Sequence, residues 1–201
     1  MSVIMGYKAK DKIYLAADNK LSTPEGEIIC DNEKKIIVVN NNLAVAFAGY
    51  YKNQILFEQG IKLAQSDKEL TVEDVLAHLR IMYLSFELNR NKEYAKEALG
   101  VDSSFIVVGK SKNNECCMYA MSYLNGKLEK PTLTDAVLFP PSDLDMTTCA
   151  YIYAKNIKYH YDDFIQRTVK EISKESNVVS PSGDIWIYDF ATDTSTSEHF
   201  E

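Results

Sequence analysis

The 201-residue sequence predicts an α+β fold, a four-layer αββα sandwich of two antiparallel sheets flanked by helices. Strand-like and helix-like segments occur in separate runs, and this order favours antiparallel sheets over a parallel βαβ sheet. The hydrophobic content of 46% and charged content of 25% are typical of a globular chain of this length. We find neither an internal repeat nor a linker, so we expect residues 1–201 to form a single domain.

The first fifty residues have the composition of strands. Short apolar runs predict five strands, at residues 3–8, 12–17, 27–30, 35–39 and 43–48. Lys10-Asp11 predicts a hairpin between the first two, and a polar loop with Pro24 and Gly26 precedes the third. The asparagines at 40–42 predict a turn, because Asn tolerates left-handed backbone geometry.

Helical spacing begins after Gly49. Apolar residues at three- and four-residue steps predict one helix after Gly49 and a second that begins after Thr71, its N-cap. Two strands follow, at 104–109 and 116–123, and then a third helical region over about 145–173. A strand over 184–190 and a polar tail end the sequence.

Composition excludes several classes of function. The net charge is −7 and the Lys and Arg residues are scattered, which argues against a nucleic-acid surface. The four cysteines lack a CxxC spacing, and no apolar run is long enough to span a bilayer, so we expect a cytoplasmic protein that does not enter a membrane. The aromatic residues around His160 suit packing better than a metal site, and we expect neither a metal nor a cofactor.

The start of the chain offers a candidate nucleophile. Met1 precedes a small residue, Ser2, so removal of Met1 would give Ser2 a free α-amine. Such a residue combines a hydroxyl nucleophile with a base whose pKa is about 7.7–8.0. The chain has three histidines, and none lies in a motif that resembles a catalytic one.

Four segments in register carry a family resemblance. They are the strand that begins at Ser2, the strand that ends at Asp18, the segment with Lys35 before Ile36, and the strand that ends at Gly49. Asp18 lies sixteen positions after Ser2, and Lys35 lies seventeen positions after Asp18. Gly49 follows Lys35 by fourteen positions. This pattern resembles the proteasome β-type subunits, most closely the HslV-like peptidases, with one extra residue before the lysine. The segment at 183–188 is similar to the last major strand of that family.

The resemblance implies an N-terminal-nucleophile hydrolase with that sandwich fold. It implies that Ser2 is the nucleophile, that Asp18 and Lys35 tune it, and that the Gly49 N–H binds the oxyanion. We prefer Lys35 to Lys34, because the residue directly before the apolar run matches the family. The resemblance also implies five residues of the specificity pocket: Leu21, Glu33, Ile37, Phe47 and Tyr51. The four other than Glu33 are bulky and mostly apolar, which favours a small or medium apolar substrate side chain, whereas Glu33 weakens that inference.

The second half departs from the family pattern. Family members have a Gly-Ser-Gly turn before the third long helix, and here Thr148 and Cys149 are two candidates for the position of that serine. The family's Asp-x-x-Ser is matched at 177–180, where Asn177 replaces the aspartate and Ser180 is retained as an implied catalytic residue.

Three functions remain open at this stage. The first is a peptidase of a closed homo-oligomeric ring, with peptide or protein substrates and with or without an ATPase unfoldase as partner. The second is a catalytically silent, ring-forming scaffold or binding subunit, which the missing glycines favour. The third is an amidase for a small metabolite, which would use the same catalytic residues with a different pocket.

Overall fold

A computed structural model describes residues 2–23, 27–65, 69–159 and 161–201. Met1, the loop positions Pro24 and Gly26, and His160 lie outside the described residues, so the predictions that concern them stay predictions. Among the described residues the chain forms thirteen strands and five helices.

The first sheet contains the two ends of the chain. Its strands are β1 (Ile4–Lys8), β2 (Lys12–Asp18), β11 (Ala136–Phe139), β12 (Gly183–Asp189) and β13 (Thr194–Phe200). Their order is β11-β1-β2-β12-β13, and every neighbouring pair is antiparallel. Gly183 lies opposite Asp18, so the start of β12 lies beside the end of β2.

The second sheet is formed by the middle of the chain. Its strands are β5 (Ile36–Asn40), β6 (Leu43–Ala48), β7 (Ser103–Lys110), β8 (Cys116–Leu124), β9 (Lys127–Leu128) and β10 (Thr132–Leu133). The antiparallel order is β10-β8-β7-β6-β5, with β9 also paired to β8. A separate small sheet pairs β3 (Leu21–Ser22) with β4 (Ile28–Cys30).

Three hydrophobic clusters hold four layers together. The helices α1 (Tyr51–Ala64), α2 (Val72–Leu88) and α3 (Glu93–Leu99) cover the second sheet, and α4 (Met146–Asn156) and α5 (Tyr161–Glu175) cover the first. Between the sheets, buried residues such as Ile4, Leu15 and Trp186 form one cluster with the alanines of β6. The predicted α+β sandwich of antiparallel sheets and helices is therefore confirmed. None of the described helices has both the length and the apolar character needed to cross a bilayer.

The structure differs from the sequence prediction at several elements, among them the short strands β3, β9, β10 and β11, which were not predicted. The polar tail forms β13, an edge strand whose side chains are mostly exposed, and exposed edges tolerate polar residues. The third helical region is two helices, because one helix over 145–173 would extend about 43 Å, far beyond a strand of seven residues at about 23 Å. The seven-residue α3 was not predicted, since it is too short to show a period.

Candidate active site

A buried ion pair joins two of the predicted site residues. Asp18 ends β2 and Lys35 directly precedes β5, so each lies at the end of a strand of a different sheet. The Lys35 Nζ lies 2.9 Å from Asp18 Oδ1, and the two residues are 3% and 0% exposed. Burying either charge without its partner would lower the stability of the fold, so each side chain stabilises the buried position of the other.

The Asp18 carboxylate also binds three backbone amides. Its Oδ1 accepts the Val3 N–H at 3.1 Å, and its Oδ2 accepts the N–H groups of Lys20 at 3.0 Å and Ser180 at 3.2 Å. Because Val3 directly follows Ser2, the first of these bonds fixes the backbone of the predicted nucleophile beside the ion pair. The carboxylate thus connects four separate stretches of the chain.

Burial changes the protonation of Lys35. Desolvation lowers the pKa of this amine below its ordinary 10.5, and the Asp18 charge opposes that effect without cancelling it. The ammonium also donates to the Lys20 carbonyl at 2.5 Å. A cation held in this way favours an ionised oxygen nearby and so lowers the pKa of a neighbouring hydroxyl.

Gly49 and Ser2 line the same pocket, which has a volume of 530 Å³. Gly49 separates β6 from α1 at φ +151°, and a Cβ there would lie 2.3 Å from Ser103 Oγ. Only glycine therefore fits this turn without strain. Tyr50, the N-cap residue of α1, makes no side-chain capping bond, so the start of this helix offers backbone N–H groups to an anion.

Two of the five predicted pocket residues, Leu21 and Tyr51, line this pocket. Ile37 and Phe47 do not, because they pack in the hydrophobic core beneath α1 and α2, where Phe47 makes an edge contact with Phe105. Glu33 is also absent from the pocket wall, and its backbone N–H and C=O both bind Asn19. These three residues do not line this pocket, and a role for them in substrate binding stays a prediction.

Sequence reasoning missed most of the pocket wall. The residues it overlooked are Ser22, Thr23, Ile29, Tyr50, Lys52, Gly100, Val101, Asp102 and Ser142. Most of them lie in loops or next to short elements, which have no hydrophobic period to signal them. The wall is largely apolar and aromatic with few charged groups, as in pockets that bind organic side chains.

Comparison with known proteins places this geometry in a family. A model of the proteasome subunit family matches residues 2–116, which is more than half of the chain. The chain belongs to the proteasome subunit family. A search of curated proteins found no match. The matched segment contains Ser2, Asp18, Lys35 and Gly49, and Ser180 lies beyond it.

Ser180 reaches the site of this proteasome-family chain through its backbone. Its N–H binds Asp18, while its hydroxyl is 2.8 Å from the Ser182 hydroxyl. Asn177, which replaces the family aspartate, is exposed. Its N–H donates to Asp143 and its carbonyl accepts from Lys20 Nζ at 3.1 Å, so it too touches the site region through its backbone.

Neither candidate for the Gly-Ser-Gly serine lies in the pocket. The Thr148 N–H and hydroxyl both donate to Asp145, the N-cap of α4, at 2.9 and 2.8 Å. Cys149 is fully buried on the inner face of α4, and burial raises the pKa of its thiol to about 11, which disfavours a nucleophilic thiolate. Ser142 lines the pocket together with Ser2. The sequence feature that could have indicated Ser142 is the Pro140-Pro141 pair directly before it, because such a pair marks a turn, here ahead of α4.

Proposed function

We propose that this chain is a proteasome-like, N-terminal-nucleophile peptidase of the HslV type whose nucleophile is Ser2 after removal of Met1. One observation carries the proposal. The buried Asp18–Lys35 pair binds the amide that follows Ser2, and Ser2 shares a pocket with Gly49. A nucleophile, a nearby cation and an amide at a helix start are the groups that acyl transfer requires.

Each residue then has a defined part in the reaction. The α-amine of Ser2 takes the proton of its own hydroxyl through a water, and the Oγ attacks the substrate carbonyl. Lys35 lowers the pKa of that hydroxyl, and Asp18 keeps the lysine charged and in place. The Gly49 N–H binds the oxyanion of the tetrahedral intermediate. The protonated amine gives its proton to the leaving nitrogen, and water hydrolyses the acyl ester on Ser2.

We propose further that residues 1–201 form one domain that assembles into a homo-oligomeric ring, since proteasome subunits generally form oligomeric rings. Peptides or unfolded proteins would be the substrates, with or without an ATPase unfoldase to deliver them. The cysteines Cys30, Cys116, Cys117 and Cys149 are all unpaired thiols, which supports a reducing compartment such as the cytoplasm.

A silent, ring-forming subunit is the second candidate function. Two observations favour it, namely the absence of the glycines that flank the family serine and the replacement of the family aspartate by Asn177. A small-molecule amidase would use the same catalytic groups, and a strictly monomeric protein would favour it over a ring peptidase.

Covalent labelling of a chain made with a cleavable leader, so that its first residue is Ser2, tests the proposal. A peptide β-lactone or epoxyketone should add one probe mass to Ser2 in intact-mass measurements. Ser2→Ala and Lys35→Ala should abolish labelling, and higher pH should partly restore it in Lys35→Ala by ionising the hydroxyl. Lys34→Ala is the matched control and should label normally, because that neighbouring lysine is exposed.

Two results would contradict the proposal. Labelling that persists in Ser2→Ala would identify another nucleophile. A verified Ser2 terminus that reacts with none of the apolar, acidic or basic probes would establish the silent subunit instead.

A further inference from the structure

Two residues of the pocket wall are held by a residue outside it. Tyr50 and Lys52, at the start of α1, both line the pocket. The Tyr50 hydroxyl donates to Glu97 Oε2 at 2.7 Å, and the Lys52 Nζ donates to the same oxygen at 2.9 Å. The ammonium also lies 5.6 Å from the centre of the Tyr50 ring. One carboxylate of α3 thus fixes two side chains of the pocket.

The helix that carries Glu97 is itself attached to the pocket. The buried Asn53 of α1 donates to the Ala98 carbonyl at 3.2 Å, which joins the two helices beside the Glu97 contacts. The next three residues after α3, Gly100 to Asp102, line the same pocket. The position of α3 therefore determines two parts of the pocket wall.

Glu97 also sets the charge at this wall. Its hydrogen bonds with Tyr50 and Lys52 lower the pKa of the Glu97 carboxyl, and contacts with Tyr50 and Glu97 raise the pKa of Lys52. Both groups are therefore ionised at neutral pH. The other charged residue among those that line the pocket is Asp102, whose carboxylate accepts the Asn125 N–H at 3.0 Å. Without Glu97, Lys52 would place an unpaired cation at the pocket.

We propose that Glu97 is a positioning residue that makes the pocket select apolar over acidic substrate side chains, acting through Lys52 and Tyr50. This inference rests on the proposed peptidase function. With Lys52 neutralised, the walls formed by Leu21, Ile29 and Val101 favour a large apolar side chain next to the scissile bond. Releasing Lys52 would stabilise a carboxylate in the same place.

The magnitude follows from the exposure of the pair. The Lys52 and Glu97 side chains are 65% and 41% exposed, and exposed ion pairs contribute little because water and salt screen them. We therefore expect Glu97→Gln to raise the ratio of acidic to apolar labelling rates by about twofold to fivefold at low ionic strength. The increase should shrink at high salt.

The experiment uses two β-lactone peptides that differ only in a Leu or a Glu side chain beside the electrophile. Glu58→Gln is the matched control, because it removes the 3.0 Å partner of Lys62 on α1 and lies outside the pocket wall. The control should keep the wild-type ratio. The double variant Glu97→Gln/Lys52→Met should return the ratio to the wild-type value, since the released cation is then absent.

An unchanged ratio in Glu97→Gln would overturn the inference, as would an increase that persists in the double variant. If the wild-type chain with a verified Ser2 terminus reacts with neither of these probes nor with a basic one, the peptidase proposal fails by itself. The role of Glu97 is then decided in the Ser2→Ala background by the affinities of two unreactive peptide amides that end in Leu or Glu. A change in their affinity ratio on Glu97→Gln supports the role, and a constant ratio refutes it.

Discussion

Removing the charge of Asp18 should destabilise the fold more than removing the charge of Lys35. In Asp18→Asn, the new amide nitrogen cannot accept a hydrogen bond, so one of two sets of donors loses its acceptor. The first set is the Val3 amide with Lys35 Nζ, and the second is the amides of Lys20 and Ser180. The buried ammonium also loses its counter-ion.

The structure sets the size of each effect. Breaking a buried ion pair from one side costs about 3–5 kcal/mol, and we expect Asp18→Asn to lose this much unfolding free energy. In Lys35→Met the carboxylate keeps all three amide donors. The loss should then be nearer 1–3 kcal/mol, roughly the cost of one unmade buried hydrogen bond. The double variant should lose less than the sum, because no buried ammonium is left without a partner.

Urea unfolding of these variants measures the difference. The Ser2→Ala background removes the proposed activity, so degradation does not disturb the equilibrium. A cost of Lys35→Met equal to or above that of Asp18→Asn would refute the reasoning, because it would mean that the three amides do not satisfy the carboxylate.

The deficit of Asp18→Asn should also depend on pH. The pKa of Lys35 already lies below its ordinary 10.5 through burial, and loss of the Asp18 charge lowers it further. Between the folded pKa and 10.5 the unfolded state binds more protons, so stability rises with pH in this window. The deficit should therefore be smaller at about pH 9.5 than at about pH 7. A deficit that grows with pH would contradict the assigned direction.

Three further predictions concern the pocket and the assembly. Gly49→Ala should abolish labelling and lower the free energy of unfolding in urea by about 1–3 kcal/mol, because the new Cβ would lie 2.3 Å from Ser103 Oγ. Adding Ser103→Gly should restore part of that free energy. Ser142→Ala should slow labelling of Ser2, because Ser142 lines the pocket. Since Ser142 is exposed, the free energy of unfolding should change by less than about 0.5 kcal/mol. Labelling at the full rate would exclude a role for Ser142. Light scattering after size-exclusion chromatography should give the mass of a closed ring, and a monomer at micromolar concentration would favour the amidase.

The first fifty residues could be predicted because they carry two signals at once. Short apolar runs define β1, β2, β5 and β6, and the four residues that match the family lie at fixed spacings near the ends of these strands. Asp18 and Lys35 lie at strand ends of different sheets, so their contact depends on how the sheets stack, and the family resemblance is what singled them out in the sequence. For that reason the fold and the centre of the candidate site could both be read from this part of the chain.

The pocket walls could not be predicted in the same way. Val101 and Ser142 follow a short helix and a short strand, and their position depends on how those elements pack. Ile37 and Phe47 pack in the core, because residues on strands near the site face the core as well as the pocket. Glu97 had no sequence signal at all, since its role depends on partners about 45 residues away along the chain.

The four-way contact of the Asp18 carboxylate has a consequence for synthesis of the chain. Ser180, which supplies one donor, follows Asp18 by 162 residues, and β12 covers the free edge of β2 only after that point. At about 5–20 residues per second, a ribosome needs roughly ten to thirty seconds to make this stretch. During that interval β2 has an unpaired edge, and the Asp18 carboxylate of the ion pair lacks the Ser180 N–H as a donor. The site can therefore be completed only once Ser180 and β12 have been made, long after the segment that contains Asp18 and Lys35.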